Sequence, residues 1–195
     1  CIEDGRMSMF LLGLVIFFAV HSVSIVNAPW RDRQAAKLGE GPWQAAYSLV
    51  ALIGFGLIVW GYGLARHDPV VLYWPPTWLR HLALLLLVPV FPLLLAAYLP
   101  GRIQTAVKHP MLAAIKLWAV AHLLANGMLA DVLLFGTTLA WAVMVRISLG
   151  RRPPRPIAMA PAGAMNDAIA VVGGLMLYAL FVSFLHRLLI GIPIV

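Results

Sequence analysis

The chain has 195 residues, 63% of them hydrophobic and 11% charged, with a mean hydropathy of +0.93. A soluble domain of this length has no interior large enough to hide so much apolar surface, so composition places the chain in a membrane. The formal net charge of +7 does not argue for nucleic acid, because the basic residues fall between long apolar runs, where positive-inside loops account for them. With one cysteine, Cys1, neither a disulfide framework nor a cysteine metal cluster is expected within one chain.

Residues 1–8 read as an N-terminal remnant or start segment before Met7 or Met9, with a lipid anchor on Cys1 as the competing reading. A cleaved signal peptide is not expected, because the first apolar run matches a full span of roughly 20 residues. Residues 9–195 read as a single polytopic membrane domain. Six spans are expected: Met7 to Val26, Trp43 to Ala65, Leu82 to Leu99, Met111 to Leu129, Val132 to Ser148, and Ala168 to Leu185 or beyond. Pro89 and Pro92 predict a kink in the third, and Pro110 suits the first turn of the fourth. Asn126 and Gly127 predict a tight turn, and the fifth span is expected to be the shortest. Only helices or closed barrels satisfy the backbone in lipid, and no dyad alternation is present. The fold class is therefore an all-α integral membrane bundle of about six transmembrane helices.

The connection RHDPVVLYWPPTWLR (66–80) is aromatic, with Tyr73, Trp74 and Trp78 expected at headgroup depth, whereas GRRPPRPIAMAPAGAMND (150–167) is basic and proline-rich and reads as an extended cytoplasmic loop. Connections 1–2, 3–4 and 5–6, with adjoining span ends, hold Arg31, Arg33, Lys37, Arg102, Lys108, Lys116, Arg146, Arg151, Arg152 and Arg155. The opposite side holds only Arg6, Arg66, Arg80 and Arg187, so both termini are expected on the outer face of the membrane. The small residues of GFGLIVWGYG (54–63) permit close helix packing.

Ionisable residues inside spans are functional candidates by default. His67, His81 and His186 lie near outer span ends, where interfacial solvation or a local hydrogen bond accounts for them, and His109 sits beside Lys108 at an inner edge, fit for a headgroup contact or a helix start. His21 and His122 lie deeper, roughly 10 and 18 Å from the inner side at about 1.5 Å per residue, depths at which a tilted pair can meet. His109 and His122 cannot both face one ligand, since thirteen residues give about 220° of rotation and about 20 Å of rise. Trp118, His122 and Asn126 form an i, i+4, i+8 line, and Phe17, His21 and Ser24 share a face. Such neighbours suit a flat aromatic cofactor held between two imidazoles, but spacing alone ranks an interhelical polar network above haem. Asp131 is the one acid near a span, too few for a hard-metal site.

FFAVHS, then PWRDRQAAKLGEGPWQAAYSLVAL, then KHPMLAAIKLWAVAHLLANG, resemble the NnrU family of bacterial membrane proteins over most of residues 9–152. The resemblance implies a link to nitric and nitrous oxide metabolism in denitrifying bacteria. The family is in turn similar to 15-cis-ζ-carotene isomerase, a membrane protein that uses haem b and whose ligand histidines fall in the same two motif contexts. Carried over, those ligands match His21 and His122, which raises haem b above the polar network, and His109 matches a further histidine. Trp118 and Asn126 would flank the cofactor, and Lys108 and Arg33, beside Lys116, would be cations for its propionates. KHP also resembles, to a lesser degree, the Arg-His-Pro of lipid methyltransferases, but Lys108 replaces the arginine and the acidic downstream motif is absent.

Three functional readings result. The first is a haem b protein with a redox or isomerase-type role, acting on a hydrophobic small molecule or within nitric oxide metabolism. The second is a non-catalytic assembly or transport helper for respiratory membrane proteins, and the third, weaker, is a SAM-dependent methyltransferase relative. In each the lipid bilayer is the principal partner.

Overall fold

The computed structural model describes residues 2–151 and 159–194, all of whose regular elements are helices. Cys1 and the centre of the proline-rich connection, 152–158, lie outside the described residues, and with them the expectations of a lipid anchor and of an extended loop there. Five helical segments are long and apolar enough to cross a bilayer: Met7–Val26, Glu40–Ala65, Thr77–Ala96, Leu129–Leu149 and Asn166–Ile190. A shorter apolar helix, Pro110–Ala125, makes the sixth. The chain is a multi-pass helical membrane protein, as its composition requires.

The described residues fall into two compact units, the first comprising 2–73 and 127–151 and the second 74–126 and 159–194. In the first, α1 (Ile2–Val26) packs antiparallel along α3 (Glu40–Ala65). Gly54, Ile58, Gly61 and Ala65 form the buried stripe of α3. A methyl group on Gly61 would lie 2.5 Å from the Phe10 nitrogen, and one on Gly54 would lie 2.8 Å from the Phe17 nitrogen, so the two backbones touch where side chains are missing. Two of the four glycines of GFGLIVWGYG, Gly54 and Gly61, thus serve packing within the chain. Phe10, fully buried, centres a core that includes Leu14, Ile58 and Ala130, the last from α8 (Leu129–Leu149).

The connection between α1 and α3 is itself a helix, α2 (Ala28–Leu38). Asn27 caps it by accepting from the Trp30 N–H, and Pro29 occupies its first turn, a start signal present in the sequence. Arg31 ties α2 to the start of α3 by pairing with Glu40 and lying over the Trp43 ring.

The stretch after α3 is extended. Leu72 and Tyr73 donate to the Gly127 carbonyl at 2.8 and 3.2 Å, and Leu129 donates to Val70 at 2.8 Å. The two connections therefore pair along their backbones, and a methyl on Gly127 would lie 1.9 Å from the Tyr73 oxygen. This pairing replaces the expected tight turn at Asn126–Gly127. Trp74 and Trp78 are largely exposed, while burial beside Asp131 pushes the Tyr73 hydroxyl above its ordinary pKa range.

In the second unit α4 (Thr77–Leu87) and α5 (Val90–Ala96) are separated by the break predicted at Pro89. Val88 donates to Leu85, three residues back, and the Leu84 carbonyl instead accepts from the Tyr178 hydroxyl at 2.9 Å. Tyr178 lies on α9 (Asn166–Leu180), which also presses Gly174 against Pro92. A proline break in lipid is tolerable when a neighbouring helix satisfies the freed carbonyl in this way. At the other end of this unit, Asp167 accepts from the Arg102 and Ile103 nitrogens, the first of the short helix α6 (Arg102–Val107). Asn166 donates to the Pro100 and Pro161 carbonyls. The fourth span, α7 (Pro110–Ala125), has 16 residues and is the shortest, in place of the fifth; Asn126 leaves the helix where Gly127 is drawn to Tyr73.

Candidate functional site

His21 lies on α1, one turn beyond Phe17. Its Nδ1 donates to the Phe17 carbonyl at 2.7 Å. The Phe17 ring centre is 4.1 Å away, and Tyr47 from α3 and Trp141 from α8 stand edge-on at 5.4 and 5.9 Å. The indole N–H of Trp141 is buried and has no hydrogen-bond partner among the described residues. Buried donors are rarely left so, and one beside a candidate ligand marks a place where an acceptor belongs.

His122 lies on the last turn of α7 and repeats the arrangement. Its Nδ1 donates to the Trp118 carbonyl at 2.8 Å, and the Trp118 ring lies 4.8 Å away. A neutral imidazole that donates through Nδ1 carries its lone pair on Nε2, the tautomer a metal needs from that nitrogen, and the carbonyl bond fixes the ring. The helix supplies this partner, because the carbonyl four residues back points toward the C-terminal end, where the side chain at i can meet it. The outcome is two imidazoles in matched tautomers, each against an aromatic ring one turn away.

The other residues singled out in the sequence take varied positions. Asn126 directs its amide to the His122 carbonyl at 2.9 Å and closes the end of α7. Lys108 is exposed between α6 and α7 in the left-handed region (φ 63°), and fourteen residues before His122 it stands about 20 Å away along the chain axis. Arg33 is exposed on α2, and His67 and His81 are exposed as expected. His109 is half-buried and precedes Pro110 at the start of α7. His186, read from sequence as interfacially solvated or locally hydrogen-bonded, does make a local bond and also lines a cavity of about 340 Å³ together with Trp118 and His122. Its Nδ1 donates to the Ile192 carbonyl at 2.8 Å.

Sequence reasoning also missed the aromatic wall of His21, since Tyr47 and Trp141 come from other helices, and the partners of Asp131, noted only as the one acid near a span. That carboxylate, 3% exposed, accepts from the Tyr62 hydroxyl and from the Met128 nitrogen at the start of α8. Among the described residues no three His, Cys, Asp or Glu side chains cluster as a metal site. Taken singly, each imidazole with its aromatic neighbour is a ligand type suited to a haem iron rather than to a hard cation.

These features define a multi-pass membrane protein with two oriented histidines inside its apolar helices. The family model described as NnrU protein matches residues 9–194, and the chain belongs to the NnrU family. No curated protein and no solved structure matches the chain.

Proposed function

We propose that this NnrU protein binds haem b, with Nε2 of His21 and of His122 as its iron ligands. The observation that carries the reading is the matched pair of Nδ1–carbonyl bonds, from His21 to Phe17 and from His122 to Trp118. Each bond holds a neutral ring with its coordinating nitrogen presented, in the outer-shell arrangement typical of metal-bound histidine. The buried Trp141 N–H is a further support, because a cofactor carboxylate or a ligand atom beside His21 would satisfy it.

Haem b held by His21 and His122 would supply a one-electron couple and Lewis-acid chemistry at its iron. The chain's residues do the rest. Phe17, Tyr47 and Trp141 keep water from His21, Trp118 covers His122, and the two carbonyls prevent either ring from rotating. The family resemblance directs the role toward redox chemistry of nitrogen oxides or isomerisation of an unsaturated hydrocarbon.

The test is a visible spectrum of the full chain purified in detergent after expression with haem supply. A Soret band is expected, lost or displaced in both His21→Ala and His122→Ala and unchanged in His67→Ala. Absence of the band from wild-type protein overturns the reading and favours the assembly-helper role.

A further inference from the structure

The second unit contains an apolar cavity whose wall includes His122 and Trp118, which the haem reading also uses, and His186, which it does not. Its volume of about 340 Å³ is roughly twice that of a 150 Å³ cavity that admits benzene. Two fused rings and a short substituent fit such a space. Phe91, Trp118 and Phe181 give it flat aromatic walls, and the imidazoles of His122 and His186 interrupt them. The Tyr178 hydroxyl, also at the wall, is committed to the Leu84 carbonyl.

We propose that this cavity binds a membrane-dissolved molecule with an apolar ring body and a single hydroxyl, which donates its hydrogen bond to Nε2 of His186. The direction of that bond comes from the structure around the histidine. Gly191 adopts the left-handed region (φ 79°) and reverses the chain after α10 (His186–Ile190). The reversal brings the Ile192 carbonyl to Nδ1 of His186 and sets Ile194 into the cavity wall. With Nδ1 donating, neutral His186 is an acceptor at Nε2, so it selects a donor.

A second, independent feature points to the same place. Residues Phe181–Leu185, between α9 and α10, form a π-helical turn. π turns are rare and are frequently found at functional sites. Here the turn supplies Phe181 and Val182 to the wall and immediately precedes His186. A lipid tail would fill apolar volume equally well but offers no donor to the imidazole, which separates the two occupants chemically.

The experiment photolabels membranes containing the full chain with 4-hydroxybenzophenone or with benzophenone and maps the crosslinks by mass spectrometry. Hydroxybenzophenone is expected to label segments bearing Phe91, Trp118 and Val182, with saturation by 1-naphthol. His186→Phe keeps the ring volume but removes the acceptor, and should lower hydroxybenzophenone labelling about fivefold, the weight of one hydrogen bond, while leaving benzophenone labelling unchanged. His186→Gln, which retains an acceptor, should restore it in part, and Val182→Trp should reduce labelling by both probes. Labelling that does not saturate and spreads over the lipid-facing helices overturns the proposal. So does labelling by the two probes that is equal in wild type and His186→Phe, the signature of a cavity filled by lipid tails. Crosslinking is read without reference to a Soret band, so loss of the haem reading and loss of this one are separate results.

Discussion

The hydroxyl of Tyr62 on α3 donates to the carboxylate of Asp131 on α8, joining helices whose residues lie 69 positions apart. In an apolar setting a carboxylate persists only when its oxygens are matched, and Tyr62 and the Met128 nitrogen do that here. Tyr62→Phe removes one of them and should destabilise the first unit by about 1–3 kcal/mol. Asp131→Asn retains an acceptor for the tyrosine and should lose less. Thermal unfolding of both variants in one detergent checks the order; a Tyr62→Phe protein as stable as wild type would show that the bond contributes nothing.

Gly61→Ala and Gly54→Ala each drive a methyl group into the α1 backbone and should destabilise by about 1–3 kcal/mol through overpacking. Gly56, on the same helix, has nothing within 4 Å of the corresponding position, so Gly56→Ala is the matched control and should be neutral or slightly stabilising. Equal unfolding temperatures for all three variants would refute the close contact.

The break at Pro89 depends on Tyr178. Tyr178→Phe leaves the Leu84 carbonyl without its partner from α9 and should lower stability by about 1 kcal/mol. Hydrogen exchange should show faster opening around residues 84–88 while α8 stays protected. Uniform exchange across the chain would point to a global rather than a local role.

Trp141→Phe preserves the aromatic wall but removes the orphan N–H beside His21. If an acceptor on the cofactor takes that proton, the Soret band should shift and haem retention in dialysis should fall several-fold, about the weight of one hydrogen bond in an apolar site. Trp30→Phe, at an exposed position on α2, should do neither. Identical spectra for both variants would remove Trp141 from the site.

Topology is open to a labelling test. The 70–73 connection pairs with 127–129, and Pro100 to Ile103 is held by Asn166 and Asp167. Each pairing requires its two connections to share a membrane face, which six passes provide. The basic residues predict that the face carrying Arg102 is cytoplasmic. Single cysteines at Asp68 and at Met159, in a chain with Cys1 replaced, should react with an impermeant reagent from opposite sides of the membrane. Reaction of both from the same side would rule out six passes.

Much of the fold was legible because lipid is an exacting solvent: length and apolarity set the spans, and Pro89 set the break. The exposed positions of His67 and His81 followed from their place near span ends. What stayed hidden depends on partners remote in sequence. The early end of α7 coincides with the pairing of Gly127 with Leu72 and Tyr73; Asn126 and Gly127 signalled a turn there, but not the remote stretch it pairs with. His186 reaches the cavity wall beyond a π turn, which the hydropathy of FVSFL does not reveal. The helix α2 was not expected from the sequence, because the charged residues after Asn27 and Pro29 suggest a loop.

Gly54 and Gly61 are spaced seven residues apart, as are the residues they meet, Phe17 and Phe10. Two notches receiving two teeth at equal spacing define a register: α1 cannot slide along α3 by one turn without carrying a side chain into the opposite backbone. His21 lies four residues beyond Phe17 on this same rigid rod. Its height relative to Tyr47 is therefore fixed by glycines that never touch it, and a change at either one would move the imidazole as a ruler moves its last mark.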